Sequence, residues 1–325
     1  MISSILIIAI WLGAGALLIT AALSPIETLS WWAGWSEDDI DEAQKKPLSP
    51  PQARAPAHDA TPRPYIVYLS GIASISGSLL VPREKKFLLA LKTALPEAIV
   101  IDDVFPYSPA GVPLLKSPRI FDQLWRLIQR LKVHKRGKML GVLINMRNVF
   151  QVLVSADHRY GPIYNHGAAL VIESALIRAG YTPGAGAPIT IIGYSGGGQI
   201  AVGAATFLTN RLGAPVDVLS VGGVIASGPG LSAVRRLRRI IGKRDRVQKL
   251  GAIFFPERWP GFSLSEWNIA KKAGKISVRR MEDVMHAGAR GYFGLPKFRG
   301  VSNNARTLAL AVEFIQPQPP LPASS

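Results

Sequence analysis

Pro188-Ile-Thr-Ile-Ile-Gly-Tyr-Ser-Gly-Gly-Gly-Gln199 decides how the rest of the chain is read. Ile189–Ile192 is a β-branched run that predicts a buried strand. Gln199–Leu208, with its Ala-rich part Ala201–Leu208, predicts the helix that follows. Between them Gly193-Tyr-Ser195-Gly-Gly197 turns the chain from strand to helix within a few residues. Small residues at 193 and 197 let the two backbones approach, and a serine on so tight a turn is held strained with Oγ exposed. A glycine-rich turn at a helix N-terminus can also cradle a phosphate. That use is disfavoured, because no Gly-Lys-Ser/Thr follows Gly196–Gly198 as a Walker loop requires.

Working outward, Tyr65–Leu69 is an apolar strand ending in Ser70-Gly71, followed by a helix near Glu84–Leu95 and a strand at Ala98–Ile101. Phe121–Leu131 has apolar residues at helical spacing, and Gly167–Arg178 is a further helix. Beyond the serine, Val216–Ala226 and a short Arg238–Ile241 read as strands, with Ile276–Arg280 as the last. Strands alternating with helices define an α/β fold with a mainly parallel sheet and helices on both faces. This unit covers residues 65–315. Its stretch 106–165 is long for a simple crossover and holds the basic run Arg130–Lys138 and the apolar run Met139–Val154. One expectation is a lid, or an amphipathic element lying on a bilayer. The other is ordinary packed helices.

The flanks differ in kind. Ile2–Leu23 carries no charge, matches the ~30 Å bilayer core, and is followed by Ser24-Pro25 and by Trp31, Trp32 and Trp35 as interfacial anchors. No Lys or Arg precedes it, as a cleaved signal peptide would need. A retained transmembrane anchor over residues 1–24 is therefore expected. Residues 25–64 are an acidic, Pro-rich tether, and 316–325 a Pro-rich tail without a fold. The net charge of +17 is uneven: residues 1–60 hold 3 Lys/Arg against 7 acids, a net of −4, which leaves +21 on the remainder. No nucleic-acid-binding motif accompanies this charge, so the expected partner is a membrane surface with anionic headgroups. The basic domain suits an anionic cytoplasmic leaflet.

The chain has 325 residues, 48% of them hydrophobic, and no cysteine. Disulfides, thiolate metal sites and a cysteine nucleophile are thereby excluded. A serine nucleophile needs a base, itself oriented by an acid. Of five histidines, His58 lies in the tether, His134 in the basic run, and His158 and His166 before the serine. Only His286 follows it, ahead of the glycine-rich Ala287–Phe293. In the chain order Ser, Asp, His the base is then His286. Asp245 follows a short strand, so it emerges at the C-terminal edge of the sheet where α/β folds bind ligands. Its rivals are Asp217, which starts its strand, and Glu257, Glu266, Glu282 and Asp283. The expected oxyanion donors are the backbone N–H groups of Gly196 and of Ile72, with Ala73 as the alternative, in the loop after the first strand.

Gly193-Tyr-Ser-Gly-Gly197, Gly71-Ile72, the Gly242-Lys-Arg-Asp245 turn and the late His286 resemble the α/β-hydrolase superfamily. Ile225-Ala-Ser-Gly-Pro229 ahead of Asp245 is similar to its lipase-like members. The resemblance implies a sheet of about eight strands, a Ser–Asp–His triad, and no metal or organic cofactor. The His-Gly-Gly-Gly oxyanion loop of the hormone-sensitive-lipase type is absent. The expected function is hydrolysis of a carboxylic ester, a lipid ester included, at a membrane. An acyltransferase using the same triad and a non-catalytic lipid- or partner-binding protein of this fold are the alternatives.

Overall fold

β1 (Tyr65–Leu69), β3 (Ile189–Tyr194) and β4 (Val216–Val221) are buried along their whole length. Strands buried at every position belong to a parallel sheet covered on both faces. The computed structural model of the protein describes residues 63–73, 80–107, 138–295, 297–298 and 300–316, together with positions 11, 12, 15 and 19. The remaining elements are α1 (Pro82–Ala94), β2 (Ile99–Ile101), α2 (Lys138–Ala156), α3 (Gly161–Arg178), α4 (Gly196–Leu212) and α5 (Gly230–Ala233). They continue with β5 (Arg236–Gly242), α6 (Leu250–Phe254), α7 (Glu266–Lys272), β6 (Ile276–Met281), the hairpin β7–β8 (Lys297–Phe298 and Val301–Ser302) and α8 (Asn303–Ile315).

The central sheet runs β2-β1-β3-β4-β5-β6, and every neighbouring pair is parallel. Where the family resemblance implies about eight strands, the described residues place six in this sheet. Side chains alternate along each strand and so build two cores. Val67, Leu69 and Ile191 pack under α3, α4 and Trp267 of α7. Ile66, Tyr68 and Ile192 point the other way, onto Phe87 and Leu91 of α1 and Phe314 of α8. Each fully buried aliphatic or aromatic side chain stabilises the fold by about 2 kcal/mol. β6 forms one edge, where exposed Arg279 and Arg280 discourage further strand pairing.

The strand order reverses between β1 and β3, since β2 lies to one side of β1 and β3 to the other. A crevice outside the strand C-termini at such a switch point is where open α/β sheets bind ligands.

Several boundaries depart from the sequence expectation for local reasons. β4 ends at Val221 rather than Ala226, because Gly222 takes φ 60 and breaks the strand. Ile225 is nonetheless fully buried, so the apolar pattern continues through a loop. α4 starts at Gly196, ahead of Gln199, because the turn enters the helix at once. Within 106–165, residues 138–165 form α2 and the start of α3, with Val152 and Val154 packed in the core. The Phe121–Leu131 helix and all of the basic run but Lys138 lie outside the described residues. So do residues 25–62 of the tether, residues 317–325 of the tail and most of Ile2–Leu23; Trp11, Leu12, Gly15 and Ile19 are helical. Among the described residues no helix is long and apolar enough to cross a membrane.

Candidate active site

Ser195 sits between β3 and α4 at φ 53, ψ −121, a conformation that L-residues rarely adopt. The glycines at either side are sterically required. A Cβ on Gly193 would lie 2.5 Å from the Gly197 carbonyl oxygen, and one on Gly197 would lie 2.6 Å from that of Leu69. Alanine at either position would push the strand and the helix apart. The serine is 5% exposed, with its Oγ aimed out of the turn towards the loop after β6.

That loop carries His286. Ser195 Oγ lies 2.8 Å from His286 Nε2, and His286 Nδ1 lies 3.0 Å from Asp245 Oδ2. Asp245 follows β5 through a turn in which its N–H donates to the Gly242 carbonyl. Three side chains from three strand ends thus form one continuous hydrogen-bonded series, in the arrangement expected from chain order. Asp245 is fully buried, and its Oδ1 accepts the N–H groups of Val247 and Gln248 at 2.9 and 3.2 Å. Burial pushes its pKa up, but hydrogen bonds from His286, Tyr292 and Gln248, with the charge of His286, bring it below the usual carboxylate value. The carboxylate is therefore ionised at neutral pH.

Two tyrosines complete the setting and were not identified from the sequence. Tyr292 donates its hydroxyl to Asp245 Oδ2 at 2.6 Å and accepts the Gly242 N–H at 2.7 Å. Tyr194, the residue before the serine, stacks on the His286 ring at 5.8 Å and 21° and donates to the His286 carbonyl at 2.8 Å. Burial raises the pKa of both phenols, so both stay protonated as donors. Tyr292 stands in the glycine-rich stretch after His286, yet nothing in its spacing marks it as a partner of Asp245.

Gly196 opens α4, so its N–H falls in the first turn, where the helix itself provides no acceptor. A methyl there would meet Ile72 Cγ2 at 3.1 Å and Val152 Cγ2 at 2.5 Å, which places the Ile72 loop and α2 against the turn. Asn148 of α2, fully buried, donates Nδ2 to the Ile72 carbonyl at 2.7 Å and holds that loop. Asn148 is a residue whose role the sequence does not announce.

The rivals have other partners. His158 meets Glu257 at 3.2 Å, and His166 packs on Phe207. Asp217 is gripped by Arg235 and Arg236 at the opposite sheet edge. Glu266 receives a hydrogen bond from Ser232, while Glu282 and Asp283 pair with Lys243 and Arg244. His58 and His134 lie outside the described residues. A cavity of about 580 Å³ opens between Ser227–Pro229 and Gly261–Glu266, but it touches none of Ser195, Asp245 and His286. Among the described residues no group of three His, Asp or Glu side chains could hold a metal ion.

No protein-family model matches the chain, and no curated protein is similar to it.

Proposed function

We propose that the protein is a serine hydrolase of the α/β-hydrolase type that cleaves a carboxylic ester through an acyl-enzyme, held at a membrane by Ile2–Leu23. The observation that carries this reading is the unbroken series from Ser195 Oγ through His286 to Asp245, starting at a strained residue.

The chemistry follows from the geometry. Ser195 Oγ attacks the ester carbonyl as His286 Nε2 removes its proton, so an O–C bond forms while the carbonyl electron pair moves onto oxygen. The oxyanion is met by the N–H groups of Gly196 and Ile72 and by the positive end of α4. His286 then donates the proton to the departing alcohol oxygen as the C–O bond breaks. Water attacks the acyl-serine by the same steps in reverse, returning the proton to Ser195. Asp245, ionised and buried, holds Nδ1 and stabilises the imidazolium that exists only between these steps.

Reaction with a fluorophosphonate probe tests the nucleophile. The native chain is expected to be labelled, and Ser195→Ala is expected to lose the label while keeping its fold by circular dichroism. Labelling that persists in Ser195→Ala overturns the assignment. A series of p-nitrophenyl esters of increasing acyl length then defines the substrate class.

A further inference from the structure

The segment after Asp245 is cross-linked by hydrogen bonds yet presents large apolar side chains outward. Leu264 is 88% exposed, Ile253 67% and Phe254 61%, with Trp259 and Phe262 about half exposed. Soluble surfaces seldom gather such residues in one stretch without a partner. Hydrogen bonds and a stacked arginine hold the segment in shape. Asn268 donates Nδ2 to the carbonyls of Trp259 and Phe262 at 2.9 Å each, and Trp259 donates its indole N–H to the Ala252 carbonyl at 2.6 Å. Arg258 stacks over Trp267 at 4.0 Å and donates to the Ile225 carbonyl at 3.0 Å. The apolar side chains are therefore displayed by a built loop.

The segment is rooted in the candidate site. It begins at Val247 and Gln248, whose N–H groups hold Asp245. A Cβ on Gly251 would lie 3.5 Å from Val224, next to Gly223, which packs beside the Ser195 carbonyl. Exposed Arg246 and Lys249 flank it without an acidic partner among the described residues. Between Arg246 and Ser265 the chain has three cations and one acid, Glu257.

We propose that residues 246–264 dock on an anionic phospholipid bilayer, seating Ile253, Phe254, Trp259, Phe262 and Leu264 at the headgroup boundary with Arg246 and Lys249 on the phosphates. This rests on the tethered-hydrolase reading and deepens it. The bilayer contact is anchored beside the triad acid, since Val247 and Gln248 at the start of the segment hold Asp245. The charge decides between occupants: a second copy of this chain would bring like charges together, whereas anionic headgroups complement them.

The full chain contains no cysteine, so a single fluorophore can be placed by Leu264→Cys or, as a control on exposed α1, by Lys86→Cys. Each is reconstituted into phosphatidylcholine vesicles with or without phosphatidylglycerol. The Leu264 label is expected to be quenched by lipid-attached quencher in phosphatidylglycerol vesicles, and the Lys86 label by aqueous iodide. Arg246→Glu with Lys249→Glu is expected to reduce the docking equilibrium by at least roughly fivefold for each cation lost. A Leu264 label open to iodide overturns the proposal, as does one shielded from both quenchers, which would mean a protein cover. Equal docking on both vesicle types overturns the anionic part. Flotation separates the claims: a chain that floats with a water-exposed Leu264 label loses the docking surface and keeps the tether. Fluorophosphonate labelling of Ser195 reports the hydrolase reading independently.

Discussion

The two edges of the central sheet each bury an aspartate, and they treat it differently. At the N-terminal edge, Asp217 opens β4 and lies between Arg235 and Arg236, with Arg235 Nε at 2.8 Å and Arg236 Nε at 3.1 Å. At the C-terminal edge, Asp245 faces an imidazole, a phenol and two backbone N–H groups. Burial pushes both carboxylates up, and in both the hydrogen-bond donors win and leave the pKa below its ordinary value. The donors themselves differ. Arginine is permanently charged, so Asp217 is neutralised once, at folding. An imidazole, unlike a guanidinium, can gain or lose a proton during a reaction, so the partner of Asp245 is of a kind that can change charge. On the proposed reading the fixed pair stabilises and the switchable pair does chemistry.

The largest expected effect breaks the second pair. Asp245→Asn keeps the shape but leaves the wrong imidazole tautomer facing Ser195, so kcat should fall about 10,000-fold while the protein stays folded. Steady-state kinetics on the best p-nitrophenyl ester, with thermal unfolding of the same sample, tests this. A variant that retains native kcat would show that Asp245 is merely structural, like Asp217.

A third buried acid sharpens the contrast by having no cation beside it among the described residues. Glu84 on α1 receives the Tyr68 hydroxyl, at 2.8 Å, and burial raises its pKa to about 7 despite that bond. The folded value lies above the unfolded one, so the stability attached to its proton is full in acid. It is lost as pH rises through about 7. Glu84→Gln should therefore be nearly neutral near pH 4 and stabilising at pH 8 by up to about 3 kcal/mol. Urea unfolding at the two pH values measures it, and equal effects at both would mean that folding leaves the Glu84 pKa unshifted.

Asp217→Asn should act with the opposite sign. Its folded pKa is depressed, so its contribution exists above about pH 4, the unfolded value, and fades as pH falls through the folded one. The arginines are 47% and 38% exposed and stay solvated when the carboxylate is lost. The cost at neutral pH should be about 2 kcal/mol, below that of stranding a buried charge. Activity per folded molecule should stay within about twofold, since Asp217 lies at the far edge of the sheet.

What the chain discloses before folding follows the same divide. Gly193 and Gly197 are legible because backbone approach leaves no room for a Cβ, a demand written one residue at a time. Asp245 is separable from Asp217 because one ends its strand and the other begins it, and strand ends can be read from apolar runs. His286 follows by elimination among few histidines. Asn148, Tyr194 and Tyr292 are different, for each acts through a group far along the chain: Ile72, His286 and Asp245 respectively. No local pattern encodes such a pairing. α8 also escaped notice, although Ser302 caps it by accepting the Ala305 N–H and Phe314 covers the sheet beside α1.

The smallest expected effect probes that hidden layer. Tyr292 gives its hydroxyl hydrogen to the same oxygen of Asp245 that faces His286, and takes the Gly242 N–H in return. Tyr292→Phe deletes one donor to a buried carboxylate and leaves a buried N–H unpaired. The rotamer of Asp245 then rests on Val247, Gln248 and His286 alone, and kcat should fall about tenfold, near 1.4 kcal/mol. With one donor fewer, Asp245 is held less far below the usual carboxylate value. The acidic limb of the stability profile, where Asp245 takes up its proton, should therefore move to higher pH. A phenol that only fills space would lower stability and leave that limb where it was, which makes the profile the deciding measurement. Should the limb stay fixed, the C-terminal edge would depend on three groups and not four, and Tyr292 would belong with the packing around Asp217.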